Sequence, residues 1–205
     1  MLIDFRQLFP KYGINPKGVL HIGANVGEEA PVYNELGIFN QIWIEANPII
    51  CDKLRRNIAG NDYAVAYNAC IGDVQGELVT FHVSNNGSQS SSILELGTHK
   101  IAHPDVHYIE EVEMFTDRID FLFPDLSGYD FLNIDLQGAE LKALMGMGDL
   151  LNGFKWAYLE VNKEELYKGC ALVEDIDFYM GAYGFNRVET KWCGDTGWGD
   201  ALYTK

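Results

Sequence analysis

Basic side chains are scarce in this 205-residue chain: 15 lysines and arginines face 30 aspartates and glutamates, a formal charge of −15 with histidine neutral. A field of that sign repels phosphate backbones and argues against nucleic acid as a partner. The tightest basic cluster, Lys53, Arg55 and Arg56, has the spacing of a solvated helix face. Cysteine is sparse as well. Cys51, Cys70, Cys170 and Cys193 form no C-x-x-C pair and no metal-ligand spacing, so free thiols are expected rather than a disulfide framework or a zinc site. No run approaches the roughly 18 apolar residues of a membrane span. The first residues, Met1-Leu2-Ile3-Asp4-Phe5-Arg6, lack the basic and apolar regions of a secretory leader. A cytoplasmic protein without a membrane partner is expected, built as one domain over residues 1–205. No pattern fixes an oligomeric state.

What the chain does have is a β/α rhythm. Gly18-Val19-Leu20-His21-Ile22-Gly23 is an apolar strand that breaks into the small-residue turn Ala24-Asn25-Val26-Gly27, with a helix expected over 27–37. A second strand, 41–46, carries Glu45, and Pro48 suits the first position of a helix over 48–59. A third strand is expected near 63–70, and a short helix over 4–11 precedes the first. The rhythm is interrupted from about 76 to 118: an alternating strand, 76–83, leads into the polar loop Ser84-Asn85-Asn86-Gly87-Ser88-Gln89-Ser90-Ser91-Ser92. An insertion of this length reads as a lid or substrate flap. Regularity returns with strand 130–135 ending in Asp135, a helix to about Gly148, strand 155–161 with Glu160 near its end, helix 172–183 and strand 185–192. The glycine-rich turn before strand 200–204 is too short for a crossover, so the final pair is an antiparallel hairpin. The fold class is α/β, a doubly wound, Rossmann-like, mainly parallel sheet.

The first βαβ unit has the form of a nucleoside site: small residues admit a ligand to the backbone, and Glu45 can accept ribose hydroxyls. The dinucleotide pattern G-x-G-x-x-G is only approximated, with Asn25 where a glycine is usual; asparagine tolerates a left-handed backbone. Glu28 and Glu29, expected in the first helical turn, would repel a diphosphate. A cationic nucleoside fits better, and S-adenosylmethionine has an adenosine, a sulfonium and no phosphate.

These segments resemble the FkbM family of S-adenosylmethionine-dependent methyltransferases, which have the class I methyltransferase fold. The matching residues are Leu20-His21-Ile22-Gly23-Ala24-Asn25-Val26-Gly27, Ile44-Glu45-Ala46-Asn47-Pro48, Ala69-Cys70-Ile71-Gly72-Asp73 with Gly76, Ser90-Ser91-Ser92, Asn133-Ile134-Asp135-Leu136-Gln137-Gly138-Ala139-Glu140, Leu159-Glu160-Val161 and Gly197-Trp198-Gly199-Asp200-Ala201-Leu202-Tyr203. The resemblance implies methyl transfer to a hydroxyl of a small molecule or glycan. It implies cofactor contacts from His21, Gly23, Ala24, Asn25, Glu28, Glu45, Ala46, Cys70, Ile71 and Asp135. Asp135 and Glu160 are the expected catalytic carboxylates, Asp135 as base or substrate anchor, and Ser91, Gln137, Glu140 and Trp198 the expected substrate contacts. Glu140 has a second reading as a capping-box partner.

One departure is His21, where methyltransferases commonly have an acidic residue; Glu28 is expected to take over its electrostatic role. Metal dependence stays open, with Asp135, Glu160 and Asn162 as oxygen donors of the kind magnesium takes. His99, His103 and His107 are spaced by four, but Pro104 interrupts a helix there and they read as surface residues. Trp43 and Trp156 read as core. Two other functions fit the same βαβ unit: an NAD-dependent oxidoreductase and a noncatalytic nucleoside-binding scaffold.

Overall fold

Local signals set most element boundaries in the computed structural model, which describes residues 2–205. Helix α1 (Phe5–Tyr12) starts from Asp4, whose carboxylate accepts the Arg6 N–H, and stops at Gly13, which adopts the left-handed backbone with φ 63°. Strand β1 (Val19–Ile22) leads through a turn to α2 (Ala30–Glu35), followed by β2 (Gln41–Glu45). Helix α3 (Pro48–Ile58) is capped by Asn47, whose side-chain oxygen accepts the N–H groups of Ile49 and Ile50, with Pro48 at the first helical position.

The expected third strand divides at Ala69. Its first part is β3 (Ala64–Asn68), paired with β2, whereas β4 (Cys70–Ile71) turns away to run parallel with the end of β6 (Tyr108–Asp117). Between them lie β5 (Leu78–Ser84), the serine loop and the one-turn helix α4 (His99–Ala102). The 76–118 segment is therefore a hairpin of β5 and β6 that forms a small sheet in the order β4-β6-β5. The short helix α5 (Ile119–Leu122) returns the chain to β7 (Phe131–Ile134), then α6 (Glu140–Met147), a 3₁₀ segment, β8 (Trp156–Asn162), α7 (Val173–Ala182), β9 (Asn186–Trp192) and β10 (Trp198–Thr204).

The main sheet has seven strands in the order β3-β2-β1-β7-β8-β10-β9. Its first five are parallel, and β10 runs antiparallel to both β8 and β9, as the short last connection requires. Both faces are covered, so β1 and β7 are buried at every position. On one face Leu20, Ile22, Leu132, Ile134 and Leu159 pack against α5, α6 and α7. On the other, Val19, Trp43, Phe131 and Tyr158 meet α1, α2 and α3 through Phe5, Tyr33 and Leu54. The chain order reverses between β1 and β7, which opens a crevice at the carboxyl ends of these strands. All four cysteines are free. Among the described residues no helix is long and apolar enough to cross a membrane.

Candidate functional site

The crevice is shaped first by backbone. Gly23 ends β1 with φ 79°, and a Cβ there would lie 1.7 Å from the carbonyl oxygen of Asp135 at the end of β7. Only glycine lets the two strand ends meet. Asn25 follows with φ 44°, the left-handed conformation expected of it. Its N–H donates to Glu45 Oε2 at 2.9 Å, and the Asn47 N–H donates to Glu45 Oε1 at 2.8 Å. Glu45 is thus fixed between the loops after β1 and β2, and each oxygen keeps acceptor capacity for a ligand. Burial pushes its carboxyl up to about 7, against the lowering effect of those two N–H donors.

A cavity of about 360 Å³ opens from this point, within the range of small-molecule sites. It brings together His21, Gly23, Ala24, Asn25, Glu28, Glu45, Ala46, Cys70, Ile71, Asp135, Gln137, Glu160, Ser91 and Trp198. Glu140 is not among its lining residues. Among the described residues no lysine or arginine lines it either. The lining carboxylates are Glu28, Glu29, Glu45, Asp135, Glu160 and Asp200. Such a donor set favours a cation and offers no charged partner to a phosphate. Glu28 sits exposed at the rim, because α2 begins at Ala30 rather than at Gly27, and the more enclosed acid is Glu29. Burial pushes Glu29 up to about 7.

His21 combines two roles that the sequence left open. It lines the cavity, and its ring stacks on Trp43 at 4.8 Å with the Tyr33 hydroxyl 3.4 Å from Nδ1. Burial pushes it down to about 3, so the imidazole is neutral at pH 7 and does not oppose a cation.

Gln137 organises the carboxylates. Its amide nitrogen donates to Asp135 Oδ1 at 2.6 Å and to Glu160 Oε2 at 2.7 Å, while its amide oxygen accepts the Tyr167 hydroxyl. Its own carbonyl accepts Ser92 Oγ at 2.8 Å. The residue has φ 53°, a strained conformation for a side chain with a Cβ. Burial raises Asp135 and, with the repulsion of Asp135, holds Glu160 well above the usual carboxylate range. Glu140, 1% exposed, closes the loop that carries them: its Oε1 accepts the N–H groups of Leu136 at 2.8 Å and Gly138 at 3.1 Å. Helix α6 starts at Glu140 itself, so Glu140 is the brace of the preceding loop and not a capping-box partner three residues in. Oxygens of Asp135, Glu140 and Glu160 lie within 4.8 Å of one another. The Gln137 amide already bridges two of them, so a cation there would have to displace it.

The serine loop covers this cavity. The Asn25 side chain donates to the Gly87 carbonyl at 3.2 Å and Asn47 Nδ2 to Ser88 Oγ at 3.3 Å. The lining also includes residues that the motifs did not mark, Tyr167, His99 and His103, and Asp200, which lies in a matching segment but was given no role. His99 is 4% exposed and was expected on the surface; α4 is a single turn that Pro104 does end, but it lies across the cavity. Only His107, exposed beside Asp105, matches that expectation. Trp198 is the first residue of β10 and packs beside Leu166 and Tyr167 rather than in the turn.

Comparison with known proteins follows the same lines. The methyltransferase FkbM domain family matches residues 21–187. The 2-O-methyltransferase NoeI of Sinorhizobium fredii is 27% identical over 160 residues, which cover 74% of this chain and 65% of that protein, so the chain spans just under two thirds of that relative. A SAM-dependent methyltransferase from Aquifex aeolicus superposes with a TM-score of 0.52 at 13% identity, over 98% of this chain and 89% of that one. Magnesium protoporphyrin IX methyltransferase of Synechocystis PCC 6803, with bound SAH, gives 0.54 at 10% identity over 98% and 78%. At such identities the structural likeness is one of fold.

Proposed function

Since the chain belongs to the FkbM methyltransferase family, we propose that it transfers a methyl group from S-adenosylmethionine to a hydroxyl of a neutral small molecule or saccharide. The observation that carries this reading is the charge of the cavity: six carboxylates and no lysine or arginine, at the switch point of the sheet. When bound, the cofactor supplies an activated methyl group on a sulfonium. Glu45 holds the ribose hydroxyls, the Gly23-Ala24-Asn25 backbone admits the ligand, Cys70 and Ile71 flank the base, and Glu29 faces positive charge. Asp135 and Glu160, tied together through Gln137, anchor hydroxyls of the acceptor, and Ser91 and Trp198 line its side. Glu140 keeps the positioning role its hydrogen bonds give it. The name of the Sinorhizobium relative supports oxygen as the methyl acceptor. An NAD-dependent reaction is disfavoured because no lysine or arginine among the described residues lines the cavity to meet a diphosphate.

Isothermal titration calorimetry tests the cofactor. Micromolar-range binding of S-adenosylmethionine or S-adenosylhomocysteine is expected with no heat from NAD; saturable NAD binding in their place overturns the reading. Radiolabelled methyl transfer to a panel of glycans, phenols and peptides then separates an enzyme from a scaffold. Asp135→Asn is expected to lower turnover on the order of 100-fold, because a misheld acceptor loses the near-attack geometry, while cofactor affinity changes much less.

A further inference from the structure

Among the described residues that line the cavity, every fully buried side-chain nitrogen and oxygen but one has a hydrogen-bond partner. Gln137 occupies Asp135, Glu160 and Tyr167 at once. The exception is His99: it lines the cavity, is 4% exposed, and its Nδ1 has no hydrogen-bond partner among the described residues. A buried nitrogen without a partner is costly and uncommon in folded proteins. It is also held firmly. The Gly97 N–H donates to the Leu166 carbonyl at 2.7 Å and the His99 N–H to the same oxygen at 3.2 Å. Gly97 permits that approach, since a Cβ there would lie 2.3 Å from the Glu165 carbonyl oxygen. The imidazole sits 5.3 Å from the Tyr167 ring, whose hydroxyl leads through Gln137 to the two carboxylates.

We propose that His99 is the catalytic residue that accepts the proton of the reacting acceptor hydroxyl, an assignment that rests on the methyl-transfer reading above. As the new C–O bond forms and the C–S bond breaks, the hydroxyl proton passes to the imidazole and the thioether leaves neutral. The positive charge lost at sulfur reappears on the imidazolium, so the acidic lining faces one cation before and after the step. Burial and the neighbouring His103 push His99 down to about 4, which leaves it neutral with a free lone pair at pH 7. Asp135 and Glu160 each already accept a hydrogen bond from the Gln137 amide, which ties them to the positioning of the acceptor.

The test uses the full chain, labelled S-adenosylmethionine and a panel of methyl glycosides of neutral hexoses and deoxyhexoses. His99→Ala is expected to lower kcat on the order of 100-fold or more, with the KM for S-adenosylmethionine within about threefold, and added imidazole is expected to restore part of the rate. His99→Gln keeps a polar side chain without a base and is expected to stay slow. In the S-adenosylhomocysteine complex, the ring nitrogen signal that His99→Gln removes is expected to shift when the accepted glycoside is added. A wild-type enzyme that methylates a glycoside while His99→Ala keeps its rate, or a slow variant that imidazole leaves unchanged beside an unshifted ring signal, overturns the assignment alone. Failure of the wild type on every glycoside overturns the acceptor reading and this assignment with it.

Discussion

Glu45 uses both carboxylate oxygens to fasten two loops, at 2.9 Å to the Asn25 N–H and 2.8 Å to the Asn47 N–H, and so enters any complex already oriented. Glu45→Ala therefore removes more than a ribose partner. Cofactor binding is expected to weaken by about 2–3 kcal/mol, the scale of charge-assisted hydrogen bonds. Two N–H groups also lose their acceptor, so the melting temperature is expected to fall modestly. Calorimetry beside thermal melting checks both, and an unchanged affinity in a folded variant would show that the ribose is held elsewhere. Glu45, Asp135 and Glu160 were legible in the sequence because each ends or nearly ends an apolar strand at the ligand edge of the sheet. His99 and Tyr167 were not, since no motif marks a side chain that reaches the cavity only through tertiary packing. Glu28 stands in the sequence pattern where Glu29 stands in the cavity, because α2 starts three residues later than the pattern suggests.

At the scale of elements, the meeting of β1 with the end of β7 is the tightest point of the sheet. A methyl group added at Gly23 would lie only 1.7 Å from the Asp135 carbonyl oxygen, and φ there is 79°, so Gly23→Ala forces the strand ends apart. Loss of soluble folded protein, or destabilisation of at least about 3 kcal/mol, is expected on the scale of severe backbone strain and overpacking. Urea unfolding measures it, and a variant within about 0.5 kcal/mol of the wild type would refute the close approach. Gly13→Ala serves as the contrast, with a similar φ of 63° but no atom within 4 Å of the added carbon. The β/α units were readable because Gly, Pro and Asn punctuate apolar runs. Strand β6 was not, because adjacent Glu110 and Glu111 interrupt it and the alternation of Val112 and Met114 with Glu111 and Glu113 is short and only partly buried. The break at Ala69 was hidden because an apolar run continues while its hydrogen-bond partners change from β2 to β6.

The whole molecule carries its excess acid partly inside. Glu45 and Glu140, 7% and 1% exposed, are both pushed up to about 7 by burial, from an ordinary value of 4.5. Between those values the folded state binds more protons than the unfolded one, so stability falls as pH rises through the window. His21 and His99, pushed down from 6.5 to about 3 and 4, act in the opposite sense below pH 6.5, but the acids raised to about 7, Glu29, Glu45 and Glu140, outnumber them. Asp73, Glu95 and Glu189, lowered by their lysine partners, lose their contribution only in more acidic solution. Repulsion within a chain of charge −15 adds to the first trend. The melting temperature without ligand is expected to be several degrees higher near pH 5.5 than near pH 8, at roughly 2–4 °C per kcal/mol. A melting curve that climbs toward pH 8 would show that these acids ionise at no cost. The cofactor should reverse the slope, because a cation and two ribose hydroxyls favour ionised Glu45.

Strand β10 lies between β8 and β9 although it follows both in the chain. As the polypeptide leaves a ribosome, β9 has no place in the main sheet until β10 has been made, and the two must arrive together as a hairpin. The same strand brings Asp200 and Trp198 to the cavity wall. A nascent chain can thus assemble its five parallel strands, Glu45 and the serine loop among the early parts, and still lack a closed pocket. Ligand capture becomes a late event of biosynthesis, and a pause in translation before residue 198 would prolong a state in which the flank of β8 stands open to wrong strand partners.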